Sequence, residues 1–212
     1  METYPIALKL GGRLCLVVGG GKVGERKIAS LLECGAVVRV VSPEVTARIE
    51  DWARLAQIDL RRRCFQEDDL DGVLVVIAAT DSYQVNQDIS QLCENRQVIV
   101  NAVDIPELCS FYVPAVLRRG ALTIAVSTGG ASPMLAARIR DGIGERFGAD
   151  YEKYVELIAD WRQRALAEIP DSGRREAFLK HIVDDVTMDM MQKEQFDLLK
   201  ERLADVYCGY GG

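Results

Sequence analysis

The sequence is poor in the residues from which metal centres and disulfide frameworks are built. It contains one histidine, His181, and its six cysteines are scattered without a C-x-x-C pair. We therefore expect no preformed metal site. The cysteines are expected to be reduced, mostly buried thiols, as is usual in the cytoplasm.

Long apolar runs are also missing. The longest uncharged ones, Leu14–Gly21 and Gly72–Thr80, fall far short of the roughly 18 residues that a membrane span needs. Residues 1–12 show no apolar core of a secretory signal. We expect a cytoplasmic protein with no membrane partner.

Positive charge is in short supply. The formal net charge is −6 and the isoelectric point is about 5.0, which argues against general nucleic-acid binding. An anionic small-molecule ligand is compatible with this balance, because local charge can oppose the net charge.

What the chain does have is an alternation of β-branched runs and helical segments over its first half. Apolar residues make up 49% of the 212 positions, which is ample for a globular core. The continuous apolar run Arg13–Gly19 is typical of a strand buried on both faces of a parallel sheet. The order predicts an α/β fold with a Rossmann-type, doubly wound parallel sheet. The other predicted strands are Val37–Val41, Ile58–Arg63, Val73–Ala79 and Val98–Asn101, and the predicted helices are Val23–Cys34, Pro43–Leu55 and Tyr83–Glu94.

The pattern changes after Pro106. Two further strands, Ser110–Val113 and Leu122–Ser127, precede a helix that Ser132 caps and that reaches about Phe147. From Asp150 onward the sequence predicts helices only. The first carries an apolar stripe on Tyr151, Tyr154, Val155, Ile158, Trp161 and Ala165, and two more are predicted at Arg174–Asp185 and Met188–Asp205, before a frayed tail.

A glycine-rich segment follows the first predicted strand and opens the first predicted helix. Residues 19–24 read GGGKVG and match the G-x-G-x-x-G pattern of dinucleotide-binding turns. Gly19 would make the tight turn, Gly21 would let the backbone approach a pyrophosphate, and Gly24 would allow close helix–strand packing. Lys22 and Val23 lie at the helix start, whose N–H groups would bind the phosphates.

The end of the second predicted strand lacks the acidic residue that usually contacts the ribose. Ser42, Pro43 and Glu44, or the backbone there, would have to supply that contact. No arginine or lysine occupies the strand tip, which favours NAD over NADP.

Two more segments end predicted strands on the same edge. Thr80, in the run AATD, is either a wall of the cofactor crevice or an ordinary cap. Asp104, in the run NAVDIP, is either a general base beside the nicotinamide or a turn aspartate before a proline.

Further along, the run VSTGGASP at residues 126–133 is rich in hydroxyls and glycine. It could hold an anionic substrate group at a helix N-terminus, or simply cap the helix, and the two roles are compatible. His181 lies among apolar residues, where a packed or solvent-facing histidine is favoured over a catalytic one.

Together these segments resemble the N-terminal module of siroheme synthase and its free-standing relatives, the precorrin-2 dehydrogenase/sirohydrochlorin ferrochelatase family. The resemblance covers about residues 4–145. It rests on Tyr4-Pro5-Ile6, the run LVVGGGKVGERK from Leu16, the run AATD with Val85-Asn86, the run NAVD with Phe111 and Pro114, and the run VSTGGASP.

The resemblance implies oxidation of precorrin-2 to sirohydrochlorin with NAD, followed in some members by insertion of ferrous iron as a substrate. It implies a homodimer built from an NAD-binding domain at 1–113, a dimerisation segment at 114–149 and a helical domain at 150–212. Asp104 is the implied acid/base residue. The methyltransferase domain of fused siroheme synthases is lacking, so a separate uroporphyrinogen-III methyltransferase is an expected pathway partner.

Precorrin-2 carries eight carboxylates, so an acidic protein must present local cations and N–H groups to it. The candidates are Arg118, Arg119 and Arg138, with the helix start at Thr128–Ser132. An NAD-sensing regulatory module without tetrapyrrole turnover is the alternative from another class. A short-chain dehydrogenase is disfavoured, because no tyrosine is followed four residues later by lysine.

Overall fold

A computed structural model describes residues 3–210 of the chain. The chain divides into two compact units, Met1–Val113 and Pro114–Gly212. No helix within residues 3–210 is both long and apolar enough to cross a membrane.

The first unit is built on a five-stranded parallel sheet with strand order β3-β2-β1-β4-β5. This order reverses beside β1, as in doubly wound folds, and it confirms the predicted fold class. The strands are β1 (Leu14–Gly20), β2 (Val37–Val45), β3 (Ile58–Arg61), β4 (Val75–Ala78) and β5 (Ile99–Ala102).

Strand β1 separates two hydrophobic clusters. Cys15 and Val17 pack with Ile28 on one face, while Leu16 and Val18 pack with Ile89 on the other. Alternate side chains of a strand point to opposite faces, so a strand covered on both sides is apolar without interruption. This packing explains why the first strand is a continuous apolar run, the feature from which the parallel sheet was predicted.

Three α-helices accompany the sheet: α1 (Lys22–Glu33), α2 (Ala47–Arg54) and α3 (Tyr83–Asn95). The prediction that Pro43 opens the second helix is wrong. Strand β2 continues through Pro43 to Val45, and the side chain of Thr46 caps α2 by accepting from the Ile49 N–H. Proline fits either an extended strand end or a first helical turn, so it did not distinguish them.

All six cysteines are free thiols. Cys15 and Cys93 are buried, and burial raises the pKa of each thiol to about 11. Cys64 and Cys208 are exposed, so the expectation of mostly buried cysteines is only partly met.

A buried carboxylate fastens the outer part of the sheet. Asp69 accepts hydrogen bonds from Arg61 Nη1 at 2.7 Å, from Arg63 at 2.6 and 2.7 Å and from the Gln66 N–H at 2.9 Å. Although desolvation opposes ionisation, these bonds hold the pKa of Asp69 at about 2, below its usual 3.8.

We predict that Asp69→Asn destabilises the fold by on the order of 3 kcal/mol at pH 7. Because the folded-state pKa is depressed, this contribution is complete above about pH 4 and is lost as the pH falls towards 2. Urea unfolding at pH 7 and pH 3 measures both effects, with Asp68→Asn as an exposed control in the same turn. An equal pH dependence in wild type and Asp69→Asn would contradict the assignment.

The second unit begins with an antiparallel hairpin, β6 (Ala115–Arg119) and β7 (Leu122–Val126). The predicted strand at Ser110–Val113 is wrong: this segment is irregular and is held to β5 by the Ser110 hydroxyl, which accepts from the Val100 N–H at 2.7 Å. Helix α4 (Pro133–Arg146) follows, and Ser132 caps it by accepting from the Leu135 N–H, as predicted.

Four more helices complete the second unit: α5 (Asp150–Glu168), α6 (Ser172–His181), α7 (Asp185–Gln192) and α8 (Phe196–Tyr210). The single helix predicted over Met188–Asp205 is two helices, because Glu194 adopts a φ of +56° that an α-helix cannot include. Helix α8 reaches Tyr210 where a frayed tail was expected, and the last two residues lie outside the described part.

The predicted apolar stripe on α5 forms part of the core of the second unit. Tyr151, Tyr154 and Ala165 are buried in one cluster with Phe178 and Leu199, and Ile158 and Trp161 pack against it. The predicted domain boundary at residue 149 stays a prediction.

Candidate functional site

The turn between β1 and α1 is closed by glycines that leave no room for side chains. Gly19 has a φ of +114°, and a Cβ there would lie 2.2 Å from the Ala79 carbonyl oxygen. A Cβ on Gly24 would lie 2.3 Å from the Gly19 carbonyl oxygen. Gly19 thus makes the tight turn and Gly24 permits close helix–strand packing, which are the structural roles that the motif predicts.

Gly21 is different, because no contact within residues 3–210 requires it to be glycine. Its φ of −76° suits any residue, and a Cβ there would meet no atom within 4 Å. Gly21 precedes α1 at the N-cap position, and no side chain caps that helix. Open space in front of uncapped helical N–H groups fits the pyrophosphate of a dinucleotide.

Gly20 is a requirement that the motif does not include. A Cβ at Gly20 would lie 2.2 Å from the Glu44 carbonyl oxygen, and the Thr46 N–H donates to the Gly20 carbonyl at 3.0 Å. The end of β2 therefore packs directly on the glycine turn. The sequence signal was the run of three consecutive glycines, whose middle member occupies a position where the motif accepts any residue.

The predicted ribose contacts lie on this extended part of β2. Ser42 is buried and its hydroxyl donates to the Glu44 carbonyl at 2.6 Å, whereas Pro43 and Glu44 are exposed. The Lys22 side chain is 84% exposed, with its ammonium 3.4 Å from a Glu25 carboxylate oxygen, and Val23 is half-buried. The Ser42 hydroxyl is thus already engaged, while Glu44 and Lys22 are accessible.

The segment after β4 is held by a residue whose role the sequence did not reveal. Asn86 is buried; its Oδ1 accepts from the Thr80 hydroxyl at 2.8 Å, and its Nδ2 donates to the Thr80 carbonyl at 3.0 Å. Asn86 thereby fixes the strand end that packs on Gly19. Its signal was an asparagine in the first turn of a helix, where a polar side chain can reach back to the preceding loop.

Asp104 lies in a turn directly after β5, exposed, with a φ of +61°. Aspartate tolerates this left-handed conformation better than most residues. The segment behind it is tied to the sheet: Asn101 Nδ2 donates to the Phe111 carbonyl at 3.0 Å, and the Cys109 thiol donates to the Ala102 carbonyl at 3.1 Å. Asp104 is thus presented on an anchored loop.

These features share one edge of the sheet. The glycine turn follows β1, and Thr80 and Asp104 follow β4 and β5. The carboxyl ends of parallel strands lie at the same edge, where open α/β sheets bind their ligands. The structure therefore brings together the cofactor candidates and Asp104 within the first unit.

The predicted anion-binding loop in the second unit is well ordered by its own hydroxyls. The Thr128 hydroxyl accepts from the Ser132 N–H at 3.0 Å and donates to the Ser132 carbonyl at 3.1 Å. Gly129 and Gly130 have φ values of +61° and +86°. The Thr128 hydroxyl stabilises the loop and the Ser132 hydroxyl caps α4. An anion bound here would therefore contact mainly backbone N–H groups.

The three candidate arginines of the second unit differ in their surroundings. Arg118 and Arg119 are neighbours on β6 and project from opposite faces of the hairpin. The Arg119 Nε donates to the Phe147 carbonyl at 3.0 Å, whereas Arg138 is exposed on α4. The hairpin does not bring Arg118 and Arg119 to one face.

His181 is the last residue of α6 and lies beside Tyr210, whose hydroxyl is 3.0 Å from its Nδ1. Within residues 3–210, no group of three or more His, Cys, Asp or Glu side chains could hold a metal ion.

Comparison with known proteins places these features in context. A family model described as putative NAD(P)-binding matches residues 6–115, and one described as sirohaem biosynthesis protein central matches residues 119–146. Siroheme synthases of Thioalkalivibrio sulfidiphilus and Methylobacillus flagellatus are each 36% identical, over 96% and 100% of this chain. The chain spans 42% and 45% of their respective lengths, under half of each.

A solved structure, "SirC, precorrin-2 dehydrogenase", matches over its whole length. It covers 94% of this chain with 30% identity and a TM-score of 0.77.

Proposed function

We infer that this chain, which belongs to the precorrin-2 dehydrogenase family, oxidises precorrin-2 to sirohydrochlorin and transfers the hydride to NAD. The observation that carries the proposal is Gly21, which no protein contact requires to be glycine and which lies before an uncapped helix. The match to a precorrin-2 dehydrogenase over that protein's whole length supports the substrate.

The cofactor contacts follow from the edge of the sheet. We propose that Gly19, Gly21, Lys22, Val23 and Gly24 surround the pyrophosphate. Ser42, Pro43 and Glu44 lie towards the ribose and Thr80 lines the crevice. NAD is preferred over NADP, because the exposed Glu44 carboxylate would repel a 2′-phosphate and no cation occupies the tip of β2.

In the reaction, a C–H bond of precorrin-2 breaks with transfer of its hydride to the nicotinamide, and a second site loses a proton. The products are sirohydrochlorin, NADH and a proton. Asp104 is proposed as the base, since its carboxylate is exposed at the edge where the cofactor would bind. The substrate is proposed to come from a uroporphyrinogen-III methyltransferase.

The decisive experiment is incubation with precorrin-2 and NAD under anaerobic conditions, followed by absorbance spectroscopy. Formation of sirohydrochlorin with one NADH per turnover is the expected result. Binding of NAD without any change of the tetrapyrrole spectrum would instead favour an NAD-sensing module.

Adding ferrous iron in a second stage of the same experiment tests insertion to give siroheme. In that step iron is a substrate, and Asp104 would accept the pyrrole N–H protons.

For the second unit, we propose that Arg118, Arg119 and Arg138, with Thr128 and Ser132, bind substrate carboxylates. Arg118→Ala and Arg138→Ala are each predicted to raise the KM for precorrin-2 several-fold and to weaken its dependence on salt. Exposed Arg162 provides the control, Arg162→Ala. Arg119→Ala needs a parallel melting curve, because its guanidinium also binds the Phe147 carbonyl. Salt-independent KM values that no variant changes would contradict the grouping.

A homodimer is also proposed, with its contacts in residues 114–149. Helix α4 exposes Met134 by 84%, Leu135 by 50% and Ile139 by 42%, an apolar face that a second copy would cover. Light scattering is expected to give twice the 23.5 kDa of one chain, and a lower mass for Met134→Asp. Leu198→Asp, at an exposed leucine of α8, should leave the mass unchanged. A monomeric wild type at micromolar concentration would contradict the proposal.

A further inference from the structure

Lys27 lies on the side of α1 that faces the sheet. It follows Gly24 by three residues and precedes Leu31 by four, and both of these are buried. The Lys27 side chain is half-buried. Lysine normally keeps its ammonium in water, so a half-buried lysine on the inner side of a helix calls for an explanation.

The Lys27 ammonium is not paired within the described protein. No carboxylate within residues 3–210 comes within 4 Å of it, unlike Lys22 on the same helix, which is 3.4 Å from Glu25. Burial lowers the pKa of Lys27, and the neighbouring Arg26 lowers it further. An ammonium held partly out of water with no carboxylate within 4 Å is costly, and an anionic ligand in direct contact would offset that cost.

Lys27 is close to the part of the chain that follows β5 and carries the proposed base, Asp104. The negative charge of Asp104 acts in the opposite direction: it raises the pKa of Lys27 and favours the protonated form. The same part of the chain packs on a hydrophobic cluster to which α1 contributes: Val103 and Phe111 contact the cluster that contains Ile28. Lys27 is thus a neighbour of the Asp104 loop.

Two anions would be available here, a cofactor phosphate and a substrate carboxylate. Lys27 is five residues beyond Lys22, the first residue of α1, which is about 7.5 Å along the helix axis at 1.5 Å per residue. The helix N-terminus serves the phosphates, whereas Lys27 is next to the loop that carries the proposed base. This placement favours the carboxylate.

We propose that Lys27 binds a carboxylate of the tetrapyrrole substrate beside the loop that carries Asp104. The inference rests on the proposed function and adds a substrate-binding role for Lys27, a residue of the run LVVGGGKVGERK to which the sequence motifs assigned no role. Lysine supplies a point charge, which suits a flexible carboxylate side chain of the substrate.

The test compares Lys27→Met, which keeps the aliphatic stem and removes the charge, with Lys27→Arg, which restores a cation. Arg26→Met is the matched control, because it removes an exposed cation from the adjacent position of the same helix. In Lys27→Met, we expect the KM for precorrin-2 to rise about tenfold, with kcat within about twofold of wild type. The KM of Lys27→Met for precorrin-2 should depend less on salt concentration than that of wild type. Lys27→Arg should restore much of the affinity for precorrin-2.

Calorimetry with NAD alone separates the two anions. An unchanged Kd for NAD is expected in Lys27→Met. A raised Kd for NAD with an unchanged KM for precorrin-2 would overturn the inference, because the bound anion would then be the cofactor phosphate. An equal rise of KM in Arg26→Met would also overturn it, since surface charge in general would then be responsible.

Failure of the proposed function gives a different result from failure of this inference. If wild type binds NAD but does not oxidise precorrin-2, both the proposed function and the proposed role of Lys27 are wrong. If wild type turns over and Lys27→Met has an unchanged KM, only the role of Lys27 falls. Should Lys27→Met prove unfolded by circular dichroism, Lys27→Gln provides the neutral variant for the same measurements.

Discussion

A Gly21→Val variant is expected to fold as wild type does and to lose at least about 100-fold in affinity for NAD. The backbone of Gly21 already has a φ that valine adopts, and a Cβ there meets no protein atom within 4 Å. The added side chain would instead occupy the space in front of α1 that the pyrophosphate needs. Isothermal titration calorimetry with NAD, beside thermal melting, measures both parts of the prediction.

Two other glycines make the result specific. Gly209 also has open space around its missing Cβ, so Gly209→Val should leave NAD binding unchanged. Gly24→Val should fail in a different way, because its Cβ would lie 2.3 Å from the Gly19 carbonyl oxygen and the turn would not close. Wild-type NAD affinity in a folded Gly21→Val protein would remove the glycine turn from the cofactor site.

The sheet could be predicted from the sequence because its signals are local. Cys15–Val18 are buried, and a strand that is covered on both faces of the sheet has an uninterrupted apolar sequence. The glycine turn was equally visible, because Gly19 and Gly24 are each required by a backbone contact. Where one local constraint determines the residue type, the structure at that position can be predicted from the sequence alone.

The errors arose where tertiary contacts decide between two local possibilities. Pro43 is compatible with a helix start, but pairing of Val45 with Gly20 extends the strand past it. Ser110–Val113 has the composition of a strand, yet the Ser110 hydroxyl ties it to β5 in an irregular path. Neither partner is adjacent in sequence, so periodicity alone could not reveal them.

The candidate site also contains some residues that local sequence signals reveal and others that only tertiary contacts reveal. The sequence pointed to Gly21, Thr80 and Asp104 because each follows a strand. Asn86 and Lys27 lie in segments that carry the family resemblance, but the sequence indicated a role for neither, because their importance comes from which residues surround them. A buried asparagine and a half-buried lysine have no spacing signature of their own.

Asp104→Asn is expected to bind NAD as wild type does and to lose roughly 10²–10⁴-fold in the rate of precorrin-2 oxidation, as is typical when a general base is removed. The substitution is well matched, because Asp104 has a φ of +61° and asparagine adopts the left-handed region at least as readily as aspartate. The shape of the turn should therefore survive, with its anchors at Asn101 and Cys109 unchanged. What disappears is the carboxylate that is proposed to accept the proton.

Single-turnover absorbance measurements at saturating NAD report the chemical step directly, and calorimetry with NAD checks that the cofactor still binds. Glu107→Gln supplies the control, since it neutralises an exposed carboxylate of the same loop and should leave the rate unchanged. His181 is the only histidine of the sequence and lies against Tyr210 at the end of α6, so His181→Ala is also expected to be active. Wild-type turnover in Asp104→Asn combined with an inactive His181→Ala would transfer the role of base from the aspartate to the histidine.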